Sequence, residues 1–154
     1  MVCRISLLLS ICLMAMAAPV SGAPQTAEVV VCPLNWMVDD TMAMVVRRAV
    51  RDAENAKLLV FEIDTPGGRV DSAIEITNAI MSAKCPTMAY VKGMGAISAG
   101  ALISYSCKTI IMAPGTNIGA SAPIMLGAGD VPADVDEKTK SFLRSKYRAL
   151  GEVN

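Results

Sequence analysis

The 154-residue chain contains no histidine. That absence removes the usual proton acceptor of a serine nucleophile and forbids a Ser-His-Asp triad built within the chain. Zinc has little to hold it, because histidine is missing and no two cysteines stand in CxxC spacing. Neither sign of charge is in excess, with Lys+Arg and Asp+Glu at 14 each, so nothing recommends a nucleic-acid partner. No GxxxxGK[ST] or GxGxxG follows a strand, which leaves nucleotide binding without a motif. There is no internal repeat, and the one long apolar run lies at the N-terminus.

That run has the layout of a secretory signal peptide. Arg4 marks a short basic region, an apolar stretch extends from Ile5 to about Ala18, and Pro19 to Ala23 follow. Ser21 and Ala23 supply the small residues needed for cleavage after Ala23. The stretch is short for a bilayer core, which takes ~20 apolar residues. A lipoprotein signal ending at Cys12 fits poorly, since the bulky Ile11 precedes it. The expected division is a signal peptide over 1–23 and one domain over 24–154. Cys3 and Cys12 fall in the signal. Cys32, Cys85 and Cys107 are flanked by apolar residues and read as buried thiols in or beside strands, with one disulfide left open in an oxidising compartment.

The remaining chain alternates apolar runs with helical stripes. Glu28 to Leu34 reads as a strand ending near Pro33. Asp39 and Asp40 precede Met42, Val45, Val46, Ala49, Val50 and Ala53, an amphipathic helix with an acidic start. Lys57 to Asp64 has a continuous apolar centre, which predicts a parallel strand covered on both faces. A helix with Ala73, Ile74, Thr77, Ile80 and Met81 on one side follows. Then come a strand at 87–91, a helix at 98–105 and a strand at 109–113. Residues 114–133 read as an irregular loop, and 134–150 as a weaker helix. The βαβαβαβ order implies an α/β fold with a mostly parallel sheet, flanking helices and functional loops at the strand C-termini.

Two glycine-framed segments occupy such positions. Asp64-Thr65-Pro66-Gly67-Gly68 offers backbone N–H groups that suit a phosphate, a carboxylate or a tetrahedral oxyanion, though it also serves as a plain connection. Gly95-Ala96-Ile97-Ser98-Ala99-Gly100 presents a serine among small residues where a strand becomes a helix. Ser98 there is either a nucleophile or an N-cap. As a nucleophile it needs a base other than histidine, and lysine is the main candidate.

The ordered trio DTPGGRVDSA, GAISAGALI and APGTNIGASAPI resembles the NfeD family, membrane-associated serine proteases of the Clp-protease and crotonase superfamily. The likeness runs from about Val29 to Lys140. It implies a Clp-protease/crotonase-like fold, Ser98 as nucleophile and Lys138 of the Glu137-Lys138 pair as general base, with Lys140 the runner-up. It also implies an oxyanion hole from the N–H groups of Gly68 (or Gly67) and Ala99. An ordinary lysine, with a pKa near ~10.4, serves as a base only once a dry cleft lowers that value.

The family's domain continues beyond the point corresponding to Asn154, so the chain reads as a truncated member or a fragment. The resemblance implies no cofactor or metal. Its partners would be apolar peptide or membrane-protein segments, a stomatin-like protein among them, with homo-oligomeric assembly and an extracytoplasmic, membrane-associated location. Two alternatives stand beside this reading. One is a non-catalytic binding or assembly module. The other is a crotonase-type acyl-CoA enzyme, which the signal peptide disfavours.

Overall fold

The computed structural model describes residues 29–122, 124–126 and 132–153. The expected signal peptide at 1–23 lies outside the described residues. Strands and helices alternate as β1 (Val29–Val38), α1 (Asp40–Asp52), β2 (Leu58–Gly68), α2 (Val70–Met81), β3 (Thr87–Ile97), α3 (Ala99–Tyr105) and β4 (Thr109–Met112). After them come β5 (Ile118–Gly119), a hairpin of β6 (Ile124–Leu126) and β7 (Pro132–Asp134), and α4 (Glu137–Val153). The main sheet has the order β1-β2-β3-β4 with every pairing parallel, and β5 joins the end of β3.

Several expectations change in contact with this topology. β1 does not end near Pro33 but runs on to Val38. It is an edge strand, and a proline is tolerated where its missing donor faces the open side. β2 also continues, through Thr65-Pro66-Gly67-Gly68, because β1 is there to pair with it as far as Val38 opposite Gly68. The stretch 114–133 is not wholly irregular, since it contributes β5, β6 and part of β7.

Nor is β2 covered on both faces within the described residues. Leu59, Phe61, Ile63 and Thr65 are fully buried, whereas Leu58, Val60, Glu62 and Asp64 alternate with them half-buried. Right-handed crossovers along a 1-2-3-4 strand order put α1, α2 and α3 on one side. The other face carries the half-buried Glu62–Lys92 ion pair at 2.7 Å and leaves Val29, Val31 and Ile111 exposed.

The helices form for local reasons. Asp39 caps α1 by accepting the Met42 N–H at 2.9 Å, a bond worth about 1 kcal/mol. Met42, Ala43 and Val46 then turn inward, while Val45 stays exposed. α2 buries Ser72, Ala73, Ile76, Thr77 and Ile80, so its inner face centres on Ile76 rather than Met81, which is exposed. Asp40 and Ser72 join the two helices, with the serine hydroxyl donating at 2.7 Å. Each large side chain fully buried in this layer contributes about 1.5–3 kcal/mol. Cys32, Cys85 and Cys107 are buried free thiols, and desolvation pushes Cys32 up to about 11 and Cys107 up to about 12.

Candidate active site

The C-terminal ends of β1, β2 and β3 meet around Thr65. Its buried hydroxyl donates to the Trp36 carbonyl and accepts the Gly67 N–H at 3.0 Å, tying the end of β2 to a bulge in β1. Gly67 has φ +102, and a Cβ there would lie 2.6 Å from the Ser98 Cβ and 2.9 Å from the Ile97 carbonyl oxygen. Only glycine allows that approach.

Gly68 is closed in on another side, where a Cβ would meet the Val38 carbonyl oxygen at 2.2 Å. The next N–H, of Arg69, donates to that same oxygen at 2.9 Å. The Gly67 N–H is held by the Thr65 hydroxyl.

Ser98 stands between β3 and α3 with φ +53 and ψ −115, a conformation that costs a non-glycine residue about 1–3 kcal/mol. Its surroundings hold it there. The Ser98 N–H donates to the Gly119 carbonyl at 2.7 Å, and the Ala96 N–H donates to the Asn117 carbonyl at 2.8 Å. Gly100 packs on Thr65, where a Cβ would come 2.5 Å from the threonine methyl. The Ser98 side chain makes no capping bond, so the N-cap role that serine often plays is not what positions it. Ala99, the first residue of α3, belongs to the turn whose N–H groups lack intrahelical partners. Its nitrogen lies 3.1 Å from where a Gly67 Cβ would be.

Beside Ser98 opens a narrow pocket lined by Val70, Ala73, Ala99, Leu102, Ser121, Leu143 and Tyr147, holding about 20 Å³. Leu143 and Tyr147 come from α4. Tyr147 packs edge-on against Tyr105 at 5.9 Å, and its burial raises the phenol's pKa despite a hydrogen bond with Ser121. Lys146 of the same helix reaches Asn78 of α2 at 2.9 Å.

Lys138 is in the first turn of α4, exposed and outside this pocket. Asp136 begins that turn, accepting from the Thr139 N–H at 3.0 Å and its hydroxyl at 2.8 Å, bonds that hold its carboxyl below the usual range. Lys140 is less exposed and reaches Glu137 at 3.2 Å. The structure thus brings Gly67, Ser98 and Ala99 together, sets Gly68 next in the chain against Val38, and leaves Lys138 outside the Ser98 pocket.

Sequence reasoning missed Thr65, whose place in the DTPGG run was visible but whose buried hydroxyl was not. It also missed Leu143 and Tyr147, which share one face of α4 at i, i+4 spacing.

A serine held at positive φ over a Gly-Gly strand end, in a parallel sheet with flanking helices, defines a Clp-protease/crotonase-like α/β domain. Within that class the chain belongs to the NfeD family: residues 28–154 match the family described as NfeD1b, N-terminal domain. Over 78 residues it is 42% identical to the membrane-bound protease PH1510 of Pyrococcus horikoshii, covering 49% of this chain and 18% of that protein. Over 116 residues it is 37% identical to the membrane protein NfeD1b of Bacillus subtilis (strain 168), covering 74% of this chain and 25% of that one. The chain thus spans a quarter or less of the length of these relatives.

Among solved structures, a serine-to-alanine variant of the 1510-N membrane-bound stomatin-specific protease matches with a TM-score of 0.76 at 30% identity. That match covers 82% of this chain and 63% of that one. A lysine-to-alanine variant of 1510-N, in complex with a substrate peptide, matches with the same score and identity over 60% of its length. Among the described residues no helix is long and apolar enough to cross a membrane.

Proposed function

We propose that this domain is a serine endopeptidase that cuts apolar peptide segments at or near a membrane, with Ser98 as nucleophile and Lys138 as general base. The observation that carries the reading is the strained Ser98, fixed at φ +53 against Gly67 with its hydroxyl spared from capping. In the reaction the Ser98 Oγ attacks the scissile carbonyl carbon and its proton passes to a neutral Lys138 amine. The N–H groups of Gly68 and Ala99 receive the developing oxyanion. Lys138 returns the proton to the leaving amine, and water then releases the acyl group from Ser98.

A named relative supports the class: PH1510 is a membrane-bound protease, and its 1510-N domain is a stomatin-specific protease solved with a substrate peptide. By extension the substrate here is an apolar segment of a stomatin-like protein. The domain follows a signal peptide cleaved after Ala23 and acts outside the cytoplasm. It assembles with copies of itself, an arrangement suited to a sheet face that leaves Val29, Val31 and Ile111 exposed.

One observation favours a non-catalytic binding module instead: Lys138 lies exposed, outside the Ser98 pocket. A fluorophosphonate probe decides between the two. The endopeptidase labels at Ser98, located by peptide mass mapping, and Ser98→Ala loses both the label and peptide hydrolysis, a drop on the order of 10⁶ in kcat, with its circular dichroism unchanged. Hydrolysis retained in the folded Ser98→Ala protein removes the assignment.

A further inference from the structure

Five positions at the ends of β1, β2 and β3 have no part in the chemistry above. Trp36 has φ +79, an outlier for a bulky side chain, and is 82% exposed. Its carbonyl is held by the Thr65 hydroxyl, so the backbone is pinned with the indole turned to solvent. Met94 is 57% exposed, on a part of β3 fixed by the Met94 N–H donating to Asp64 at 3.0 Å. Between them, with Asn35, Asp64 and Pro66, lies a recess of about 410 Å³, within the range of about 300–1,000 Å³ typical of ligand pockets. Strain spent on exposing a tryptophan calls for a functional reason.

We infer that the recess between Trp36 and Met94 is an anchoring subsite for an apolar side chain of the peptide being cut, about three residues from the scissile bond. The inference rests on the endopeptidase reading and deepens it. Pro66 directly precedes Gly67, which touches Ser98, and Met94 lies on β3 four residues before Ser98, which follows the end of that strand, so a chain laid across the strand ends toward Ser98 passes the recess. From β3 to β1 is two strand spacings of ~4.8 Å, or about 10 Å, and an extended peptide covers that in three residues at ~3.3 Å each.

Charge sharpens the choice of occupant. Among the described residues, Asp64 is the one charged residue lining the recess. Its carboxylate suits a peptide with a Lys or Arg beside its apolar anchor.

Trp36 is the chain's single tryptophan, so its emission reports the recess alone. The probes are synthetic peptides identical except for Leu or Ser at the third residue on either side of the cut bond. Titrated into the Ser98→Ala protein, the Leu peptide shifts the emission to the blue and the Ser peptide does not. In the active protein, Trp36→Gly lowers the preference for Leu over Ser in kcat/KM by about 10- to 200-fold, chiefly through KM. Glycine accepts the positive φ, and Met94→Ala gives an independent variant with the same direction of change.

Equal shifts with both peptides, or an unchanged preference in both variants, overturns the subsite. So does a blue shift produced by phosphatidylcholine vesicles while the peptides are silent, or one that grows with protein concentration alone. The two readings fail separately. Hydrolysis without discrimination at this position defeats the subsite only, whereas a Leu-dependent shift in a protein that never labels at Ser98 defeats the catalytic reading only.

Discussion

Ser98 and Lys138 are set in opposite kinds of surroundings. The serine is over-determined: β5 takes its N–H, Gly67 abuts its Cβ, and Gly100 behind it packs on Thr65. Removing any one contact leaves the others to hold the strained φ. The lysine is in the first turn of a helix, exposed, with its backbone fixed by Asp136 and its side chain outside the Ser98 pocket. A nucleophile needs an invariant position, because the geometry of attack is intolerant of displacement. A lysine base needs a neutral amine, and that requires desolvation. The fold alone supplies a fixed position for Ser98. Under the proposed mechanism an apolar segment laid over the Lys138 amine would supply the desolvation.

The sharpest test of this contrast exchanges the two neighbouring lysines. Lys138→Ala is expected to cut hydrolysis about as far as Ser98→Ala, since members of such a unit fail together. Lys140→Ala is expected to retain most activity, because its amine is engaged with Glu137. Steady-state rates on one peptide, with folding checked by circular dichroism, read the result. Loss only in Lys140→Ala moves the base by two residues, and full activity in both removes α4 from the chemistry.

A smaller effect asks whether α4, which carries Lys138, is part of the folded unit. α4 is anchored by Leu143, Tyr147 and Leu150, the last almost wholly buried. Leu150→Ala should cost about 2–5 kcal/mol in urea unfolding. Limited proteolysis should then cut α4 before the sheet, with Ser98 still inaccessible to cleavage. A cost under about 0.5 kcal/mol would mean that α4 is barely docked, leaving Lys138 without a fixed distance to Ser98.

What could be read from the residues follows the same divide. The helix capped by Asp39 and the alternating β and α elements were legible because caps and continuous apolar runs act locally. Ser98 was legible from the small residues around it, which only a close backbone approach explains. The end of β2 was not, because Pro66-Gly67-Gly68 has turn chemistry and its pairing with β1 depends on β1 running past Pro33. The apolar centre of β2 suggested two covered faces, yet the single cover follows from strand order, which no local pattern encodes. The places of Thr65 and Tyr147 depend on partners 29 and 26 residues away, Trp36 and Ser121, and pairings at that distance carry no periodic signal.

The smallest expected effect uses alkaline pH to weigh the two sides. Burial raises Cys32 to about 11 and Cys107 to about 12 from an ordinary 9.0. Both thiols belong to the sheet and the helices packed on it. Above pH 9 the unfolded chain releases these protons while the folded chain keeps them. The unfolded state then binds fewer protons, so stability falls with rising pH. The stabilisation is complete below about pH 9 and is lost progressively toward the folded values near 11 and 12. Each thiol contributes at most about 1.4 kcal/mol per pH unit in that window. On α4, burial raises the Tyr147 phenol in the same direction, so α4 contributes to the pH dependence with the same sign. Urea midpoints at pH 8 and pH 10 should therefore differ modestly in the parent protein. Cys107→Ala should flatten the dependence that belongs to the sheet, and Tyr147→Phe the part that belongs to α4. If Cys107→Ala leaves the slope unchanged, the thiol is not desolvated and the layer beneath the Ser98 turn is looser than its packing indicates.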